Sequence, residues 1–375
     1  MSSRIKKVIR YITIYGFART FFKAAGRINI GKIFSLRSSK SKDIAVVGCG
    51  QFGFSTIGYF VRKNFGNRFA GCYDVNTTNK SKFEKFFDAA FSFASYEDLV
   101  KNDTVRVVYI ASNHSTHTPY ALDAIKSGKT VYIEKPISVT YEQFKELIST
   151  AKEYDAKIFA GYNRPFSGAM HDLRNIVDMS SDKAFTISYF ISGHMIPDGH
   201  WYRDPSEGTR ICGNVGHWLD LSMHILAWRN IPNTLNVCLA YSNPKERHDN
   251  INIAITSENG DLITIVFTSR CEPFEGVDES VNFQYNDTIA KIDDFRRMTV
   301  WQNERLINKR YWPKDVGHEK AILQPFSKGG FARDFKEIEY STLLMLFIMD
   351  MVHNADTNKV FNFKDEWSRL FGDKI

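Results

Sequence analysis

A glycine-rich turn near the start of the chain could bind the phosphates of a nucleotide. Its residues are Gly48-Cys49-Gly50-Gln51-Phe52-Gly53, which follow a short apolar segment and precede a helical pattern. Glycines at this spacing allow a tight turn, close approach of a pyrophosphate to the backbone, and close packing of helix on strand. Free N–H groups at the start of the helix would face the phosphates. The turn therefore predicts a dinucleotide site.

An acidic residue completes this pattern. Asp74 ends the next apolar strand, 26 residues after Gly48. A carboxylate there accepts hydrogen bonds from a ribose diol and repels a 2′-phosphate, which favours NAD over NADP. Lys80 could reach a phosphate, so NADP stays the less favoured alternative.

A lysine follows another apolar strand, in the run Glu134-Lys135-Pro136. Lys135 would stand at the carboxyl end of a parallel strand, where open α/β sheets bind ligands. The proline biases the residue before it towards an extended conformation. An ammonium group at this edge could stabilise negative charge that develops on a substrate oxygen.

A second cluster lies far along the chain and places His217, Asp220 and His224 at helical spacing. A histidine in a cleft can take a hydroxyl proton near neutral pH, and we predict this role for His217, with Asp220 as its supporting carboxylate. For His224 a packed or surface position is favoured. The three side chains could hold a metal, but hydride chemistry needs none, and no metal is predicted.

Alternating strands and helices must position the turn and the lysine. The predicted strands lie at 43–47, 69–73, 105–111, 131–133 and 157–160, and the helices at 55–63, 80–87, 96–100, 119–127 and 141–154. This alternation implies a doubly wound parallel sheet.

The pattern changes after residue 165. Longer alternating segments lie at 184–192, 234–240, 251–257, 262–269 and 280–285, with helices at 169–179 and 217–228. They predict a large, mostly antiparallel sheet. We expect a basic N-terminal arm (1–42), a dinucleotide-binding domain (43–165) and a substrate and oligomerisation domain (166–375), whose helix at 333–354 could pack back on the first domain.

Charge is concentrated in the arm. The net charge is +7, and the first forty residues contain ten Lys and Arg and no acidic residue. Because the remainder is close to neutral, binding of nucleic acid is not indicated. Residues 4–26 have helical spacing, and a helix that packs on the enzyme or a sister subunit is favoured over a membrane-surface helix. Residues 35–42 are typical of a linker.

Cysteine spacing and hydropathy favour a cytoplasmic protein. The 5 cysteines are widely spaced and include no CxxC pair, so reduced thiols are expected and neither a zinc site nor a disulfide framework is. No apolar run is long enough to span a membrane, and charges interrupt any signal-peptide core.

Together these motifs resemble the glucose-fructose oxidoreductase/inositol dehydrogenase (Gfo/Idh/MocA) family. The matching segments lie within residues 43–355 and are the glycine-rich turn, Asn113-His114-Ser115-Thr116-His117, Glu134-Lys135-Pro136, Gly161-Tyr162-Asn163-Arg164 and the segment around His217. The resemblance implies a Rossmann domain followed by an α/β domain with a large open sheet, whose face forms homodimers or homotetramers.

The resemblance also implies roles for residues. Lys135 and His217 would act at a substrate hydroxyl, and Asn113, His117 and Glu134 would lie near the nicotinamide ribose. The implied cofactor site comprises Gly48, Gly50, Gln51, Phe52, Gly53, Asp74, Ser112, Asn113, His114, His117, Glu134, Lys135, Asn163 and Arg164.

One position departs from the family pattern. Many members carry an Asp four residues before the histidine, and here that position is Gly213, followed by Asn214. An amide can orient a hydroxyl but cannot act as a base, so His217 must work without that carboxylate or with Asp220.

A narrower resemblance concerns the substrate. The segments 208–221, 292–297 and 317–318 are similar to a subgroup tied to sugar-nucleotide and surface-polysaccharide biosynthesis, which implies a nucleotide-linked sugar. The candidates to bind it are Lys135, Arg164, Trp201, Tyr202, Arg210, Asn214 and His217. We expect an NAD(P)-dependent oxidoreductase that transfers hydride between a sugar hydroxyl or ketone and nicotinamide. A free-sugar or inositol dehydrogenase, or a catalytically weak cofactor-bound scaffold or sensor, are the alternatives.

Overall fold

The chain folds into two compact units. The computed structural model describes residues 3–28, 39, 41–179, 183–245, 247–274, 276–327 and 333–372. The parallel-sheet unit comprises Tyr15–Tyr162 and His318–Phe335. The large-sheet unit comprises Met1–Ile14, Asn163–Gly317 and Lys336–Ile375.

These bounds differ from the predicted domains in three ways. The first domain ends at residue 162 instead of 165, and the N-terminal residues are divided between the units rather than forming a separate arm. The helix predicted at 333–354 groups with the large-sheet unit from residue 336 onward. Most of the predicted linker at 35–42 lies outside the described residues.

Helices account for much of both units. Among the described residues the α-helices are α1 (Ser3–Ala25), α2 (Gly58–Phe65), α3 (Thr77–Phe87), α4 (Tyr96–Lys101), α5 (His114–Lys126), α6 (Tyr141–Glu153), α7 (Gly168–Ile176), α8 (Gly216–Leu226), α9 (His318–Leu323), α10 (Phe335–Asn354) and α11 (Phe363–Phe371). None of the helices in this part of the chain is long and apolar enough to cross a membrane.

The parallel sheet confirms the doubly wound prediction. Its described strands are β1 (Ile44–Val47), β2 (Phe69–Tyr73), β3 (Val107–Ile110), β4 (Thr130–Ile133) and β5 (Ile158–Ala160). They pair in the order β2-β1-β3-β4-β5, all parallel. Strand order reverses between β1 and β3, and in such sheets the crevice at the carboxyl ends of the strands flanking this point binds ligands.

Aromatic side chains form much of the core beneath β1 and β2. Phe54, Phe69, Phe83, Phe86 and Phe87 are all buried, and their rings contact one another in edge-to-face and tilted pairs. Such pairs stabilise beyond the burial of their area.

The second half of α1 belongs to this core. Phe22 contacts Tyr59, Phe86 and Phe87, and Ala25 is fully buried. The helix is interrupted at Gly16 (φ 78°, ψ 164°), and residues on either side of this kink group with different units. For this half of the helix, the favoured interpretation of a helix that packs on the protein is confirmed.

The large sheet is mostly antiparallel, as predicted, but larger. Its described strands are β6 (Phe185–Ser192), β7 (Thr234–Tyr241), β8 (Asn250–Ser257), β9 (Leu262–Thr268), β10 (Asp278–Tyr285), β11 (Thr288–Asp293), β12 (Arg297–Gln302), β13 (Arg305–Arg310) and β14 (Asn358–Asn362). The order is β13-β12-β11-β10-β6-β9-β8-β7-β14, and only the β6–β9 pair among these is parallel. The sequence predicted β6 to β10 and missed the last four, whose alternation is short or interrupted by polar residues.

Candidate functional site

The glycine-rich turn has the geometry that its sequence predicts. Gly48 follows β1 with φ +88°, and a side chain there would meet Ala111 O at 2.4 Å. A Cβ at Gly53 would lie 2.0 Å from Gly48 O, so this position also requires glycine for packing. A Cβ at Gly50 would meet nothing within 4 Å. The protein itself therefore does not require glycine at position 50, which fits approach by a phosphate group.

Asp74 is joined to this turn. Its Oδ2 accepts a hydrogen bond from the Cys49 N–H at 2.7 Å, and its Oδ1 accepts one from the Asn76 N–H at 2.7 Å. An ionised carboxylate offers about four acceptor sites, so it can still accept hydroxyl groups of a ribose. The partly exposed side chain stands at the end of β2, where the sequence predicted it.

The helix after the turn begins with a π-helical stretch, Gly53–Ile57, before α2. π-Turns within helices are often found at functional sites. Gln51 is exposed, and its amide donates hydrogen bonds to Lys23 O and Ser55 Oγ, both at 3.1 Å. The ring of Phe52 lies 5.7 Å from that of His318. Both predicted cofactor contacts thus have partners within their own unit.

The segment after β3 lies beside the same turn. Ala111 donates its N–H to Val47 O at 2.7 Å, which brings the carboxyl ends of β1 and β3 together. Ser112 is partly exposed, Asn113 is exposed, and His114 is buried at the start of α5.

His117 has a structural environment. Its Nδ1 lies 2.8 Å from Pro136 O and its Nε2 lies 3.0 Å from Ser112 O, in a side chain that is 1% exposed. Burial lowers the pKa of His117 to about 4, although the two carbonyl contacts favour the charged form. The ring links the segment after β3 to the segment after β4, and both of its nitrogens face protein carbonyls, so the implied contact with a nicotinamide ribose is not supported.

Glu134 and Lys135 follow β4 and differ in exposure. Glu134 is buried, and its carboxylate accepts hydrogen bonds from Tyr132 Oη at 2.9 Å and from the Lys135 N–H at 3.3 Å. Burial raises the pKa of Glu134 to about 7, against the lowering effect of the Lys135 charge. A Cβ at Gly161 would lie 2.8 Å from this carboxylate, which explains glycine there.

Lys135 itself is partly exposed between buried neighbours. It stands at the carboxyl end of β4, as predicted, next to the strands that flank the reversal of strand order. A cation at this edge can act on a bound anion or a polarised oxygen.

In the large-sheet unit, the segment 211–226 is buried except at two positions. A π-helical stretch, Ile211–Val215, leads directly into α8. Within 211–226 only Asn214 and His217 are partly exposed, and residues three apart share a face of a helix. Asn214 Oδ1 is buried and accepts no hydrogen bond among the described residues. Asn214 and His217 therefore share one partly exposed face of this segment, and the Asn214 amide oxygen is a buried acceptor there.

Asp220 and His224 are buried, unlike His217. Asp220 is fully buried and accepts a hydrogen bond from Ser341 Oγ at 3.1 Å. The Nδ1 of His224 lies 2.9 Å from a Glu337 oxygen. The expectation that Asp220 takes part in catalysis is therefore not supported, because its burial in the core separates it from substrate. The packed position favoured for His224 agrees with the structure.

Arg164 is not available to a ligand. Its Nε and Nη2 donate to the two Glu279 oxygens at 2.7 and 2.9 Å, and its guanidinium lies 4.5 Å from the centre of the Trp218 ring. Trp218 Nε1 donates to the same carboxylate at 2.8 Å. The Arg164 side chain is 8% exposed and engaged with these partners, so the structure does not support the predicted contact with cofactor or substrate.

Two other residues that were predicted to contact a ligand bind protein groups in the same way. Arg210 is 2% exposed and donates to Asp249 Oδ1 at 3.0 Å and to His194 O at 2.8 Å. Asn163 is also buried and donates its amide N–H to Val316 O at 2.5 Å. Both were assigned from motifs whose partners lie far away in sequence.

Trp201 and Tyr202 remain candidates for binding the substrate. Trp201 is 42% exposed, and its ring centre lies 5.1 Å from that of Tyr202 in a 3-10 turn, Trp201–Arg203. An ideal Cβ at Gly213 would lie 2.0 Å from Tyr202 Oη. The phenol therefore occupies the space into which a side chain at 213 would point, a contact that the sequence did not predict.

Comparisons with known proteins agree with this architecture. Residues 42–162 match the family model described as "Oxidoreductase family, NAD-binding Rossmann fold" (GFO_IDH_MocA). An inositol 2-dehydrogenase from Ralstonia nicotianae is 26% identical over 219 residues, which cover 56% of this chain and 60% of that protein. The aligned parts span between 35% and 60% of the first curated relatives.

Solved structures show the same fold over most of the chain. UDP-N-acetylglucosamine 3-dehydrogenase GnnA from Acidithiobacillus ferrooxidans has a TM-score of 0.67 and 18% identity, with 84% of this chain and 98% of that chain covered. The WlbA dehydrogenase from Bordetella pertussis, in complex with NADH and UDP-GlcNAcA, has a TM-score of 0.66 and 15% identity, with 86% and 99% covered. Residues 42–162 thus match the Gfo/Idh/MocA family model, which is described as an NAD-binding Rossmann fold, and the solved structures share the fold over most of the chain.

Proposed function

We propose that this protein is an NAD-dependent dehydrogenase or reductase that acts on a hydroxyl or ketone of a nucleotide-linked sugar. The observation that carries the proposal is selective exposure. In segments that are otherwise buried, Lys135, Asn214 and His217 remain accessible. A segment that serves only the core would bury all of its side chains. A ligand-binding site instead leaves a few polar groups accessible, so we interpret these three partly exposed side chains as parts of a site.

The glycine-rich turn and Asp74 would hold the cofactor. Gly50 leaves room for the pyrophosphate, the N–H groups of the turn would face its oxygens, and Asp74 would accept from the adenosine ribose. When bound, the nicotinamide supplies the hydride acceptor or donor. The carboxylate favours NAD over NADP because it would repel a 2′-phosphate.

Lys135 and His217 are the two residues to which the family resemblance assigns the substrate hydroxyl. His217 takes the hydroxyl proton during oxidation and returns it during reduction. The Lys135 ammonium stabilises the alkoxide character that develops on the oxygen. Asn214 carries no base but can orient a hydroxyl through its amide oxygen, which accepts no other hydrogen bond among the described residues.

The proposed substrate class rests on an exposed aromatic ring and on the descriptions of similar proteins. Trp201 offers an exposed ring on which a sugar face can pack. Two structures of similar fold are described as a UDP-N-acetylglucosamine dehydrogenase and as a dehydrogenase with bound UDP-GlcNAcA. An inositol 2-dehydrogenase is similar in sequence, which keeps free sugars and inositol as the second candidate.

Turnover of a substrate panel tests the proposal. NDP-sugars, free sugars and inositol are assayed with NAD by NADH absorbance, for the wild type, Lys135→Ala and the control Lys126→Ala, which changes an exposed lysine at the end of α5. We expect turnover of an NDP-sugar that falls at least ~100-fold in Lys135→Ala and is unchanged in the control. Tight NAD binding without turnover of any compound would favour a scaffold or sensor instead.

We also propose that the open face of the large sheet forms a homodimer or homotetramer. Ile289, Trp301 and Leu306 are paired across β11, β12 and β13, and they are 47%, 40% and 59% exposed. A row of exposed apolar residues on a sheet marks an interaction surface. Light scattering should show an oligomer that Trp301→Glu dissociates and that Val75→Glu, an exposed residue of the other unit, leaves intact.

A further inference from the structure

The contact between Tyr202 and Gly213 places a phenol hydroxyl against the segment that leads into α8, one turn before the partly exposed His217. The Oη stands where the side chain of residue 213 would begin. Residues 213 and 217 are one helical turn apart and share a face, so this hydroxyl lies on the same side of the segment as His217. Asn214 is the other accessible residue there.

The segment that carries Tyr202 is firmly held. The Tyr202 N–H donates to His200 Nδ1 at 3.2 Å. Arg203 donates to Ile196 O at 2.6 Å and to Asp249 Oδ2 at 2.9 Å. A hydroxyl in a fixed position loses little entropy when it binds, which is what a preorganised donor requires.

We propose that Tyr202 is a further catalytic residue, whose hydroxyl donates a hydrogen bond to the substrate oxygen beside His217. The inference rests on the hydride-transfer reaction proposed above. Glycine at position 213 is then a requirement, because any larger residue would displace the phenol.

The ionisation of the phenol agrees with this role. Burial raises the pKa of Tyr202 above its usual value, so the hydroxyl keeps its proton throughout the neutral range. A protonated phenol can donate to a developing alkoxide, as an ionised carboxylate cannot. Its contribution should therefore not titrate between pH 6 and 9.

Tyr202→Phe tests the role because it removes only the hydroxyl. We expect kcat on the NDP-sugar to fall ~10- to 100-fold by the same factor at every pH from 6 to 9, with NAD affinity and melting temperature unchanged. Gly213→Ala, which keeps the hydroxyl but displaces it, should lower kcat similarly. Tyr189→Phe is the matched control, since it removes a buried hydroxyl that accepts from Ser222 Oγ at 3.1 Å, and it should leave kcat unchanged.

The outcomes separate the two proposals. Wild-type kcat in Tyr202→Phe, with Lys135→Ala inactive, overturns the role of Tyr202 and leaves the proposed function standing. A loss that varies with pH would assign a titrating group instead and would also overturn it. If the wild type turns over no compound of the panel, both proposals fail together.

A different observation concerns the outer face of α1, defined by Ile5, Val8, Ile9 and Ile12. These residues recur at three- and four-residue intervals and so form one stripe. Ile5, Val8 and Ile9 are 50%, 51% and 46% exposed. An apolar stripe that faces solvent on a surface helix indicates a partner.

The opposite side of this helix is already in contact with the large-sheet unit. Ile14 is 4% exposed, and its carbonyl accepts from the Lys314 N–H at 2.8 Å. The Lys7 ammonium lies 4.6 Å from the centre of the Phe274 ring. Trp312 donates to Thr13 O at 2.8 Å while its ring stays 71% exposed. The outer face is therefore fixed in place with an exposed indole beside the end of this half of the helix.

The positive charge of the N-terminal segment indicates which kind of partner the outer face of α1 binds. The first forty residues contain ten Lys and Arg and no acidic residue. A second copy of this face would bring like charges together, which is unfavourable. Apolar residues flanked by basic ones, with Trp nearby, suit the headgroup region of an anionic bilayer.

We infer that the outer face of α1 binds the surface of an anionic membrane. The full-length protein should float with vesicles of 30% phosphatidylglycerol and 70% phosphatidylcholine, and not with pure phosphatidylcholine. Val8→Asp should reduce the bound fraction at least ~10-fold, and Val75→Asp, which adds the same charge at another exposed site, should not.

Three results would overturn this inference. They are no flotation with the anionic vesicles, equal flotation of the wild type and Val8→Asp, or equal flotation with both kinds of vesicle. If Val8→Asp instead changes the oligomeric mass in light scattering without lipid, the face joins two copies of the chain.

Discussion

The two units of this protein differ in the exposure of four charged motif residues. In the parallel-sheet unit, Asp74 and Lys135 are partly exposed at the ends of strands, where ligands bind. In the large-sheet unit, Arg164 and Arg210 are buried in ion pairs with Glu279 and Asp249. These four charged motif residues thus lie at strand ends with partial exposure in one unit and in buried ion pairs in the other.

Sequence distance explains the difference. The turn at Gly48 and the end of β2 are positioned by local elements, and their role follows from strand, turn and helix in order. The partner of Arg164 is Glu279, 115 residues later on β10. Register in the large sheet decides whether such an arginine meets a carboxylate or solvent, and one sequence does not display that register.

The ion pair of Arg164 provides the largest expected effect. Glu279→Gln leaves a buried guanidinium without its carboxylate and weakens the acceptor for the Trp218 indole, which should cost about 3–5 kcal/mol of unfolding free energy. Denaturant unfolding measures the loss. Glu97→Gln, which breaks the exposed pair with Lys101, should leave the midpoint unchanged.

If Arg164 instead binds ligand, the result differs. Arg164→Met, which replaces the buried cation by an apolar chain, would then keep its stability and lose affinity for cofactor or substrate. That outcome would remove the contrast between the two units.

The glycine-rich turn gives two predictions, one for stability and one for NAD affinity. Gly53→Ala drives a Cβ into Gly48 O, and overpacking of this kind costs about 1–3 kcal/mol. Gly50→Ala meets no protein atom and should change stability by less than ~0.5 kcal/mol, while NAD affinity falls at least ~10-fold. Thermal unfolding and calorimetric titration with NAD measure the two effects. Unchanged NAD affinity in Gly50→Ala would show that the turn has only a structural role.

Much of the fold could be predicted from the sequence, because its period is local. The parallel strands and β6 to β10 follow from apolar runs and alternation. The strands β11 to β13 were missed because they are short and because charged residues such as Arg297, Arg305 and Lys309 interrupt their apolar alternation. The division of α1 at Gly16 could not be predicted, since it depends on which unit each half contacts.

The candidate site was predictable in part, for the same reason. Lys135 and His217 stand in runs with recognisable spacing, and the structure leaves them accessible. Asp220 has the correct spacing but faces Ser341, which approaches from another helix. Tyr202 was predicted as a substrate contact, yet its position against Gly213 depends on tertiary packing that spacing does not encode.

Glu134 allows a test by pH. It is a buried acid like Glu279, but in the described part of the chain its hydrogen-bond donors are Tyr132 and the Lys135 N–H, whereas Glu279 pairs with an arginine. Burial raises its pKa from 4.5 to about 7 in the folded state. Between these values the folded protein keeps a proton that the unfolded chain releases, so the free energy of unfolding falls as the pH rises through this window. Well above pH 7, where Glu134 is ionised in both the folded and the unfolded chain, the difference is constant.

Glu134→Gln removes this dependence while preserving the shape of the side chain. From pH 4.5 to pH 7.5 the wild type should lose about 1–3 kcal/mol of unfolding free energy relative to the variant. Urea unfolding of both proteins at the two pH values measures the difference, and the opposite contribution of His117 cancels because both proteins contain it. If the difference in unfolding free energy between the two proteins does not change with pH, Glu134 is ionised in the folded protein and its surroundings fully compensate the charge.

Asp74 gives the smallest expected effect and the most specific one, since it joins backbone geometry to cofactor choice. Each of its oxygens accepts a backbone N–H, from Cys49 and from Asn76. Asp74→Asn removes the negative charge and turns an amide donor towards one of these N–H groups, which should cost about 1 kcal/mol of stability. Because the repulsion of a 2′-phosphate is lost, the ratio of the NADP Kd to the NAD Kd should fall about 10-fold. The control Asn76→Ala removes the N-cap of α3 without a change in charge and should leave the ratio of the two Kd values unaltered. A similar shift in both variants would mean that the geometry of the turn sets the cofactor preference, and not the charge of the carboxylate.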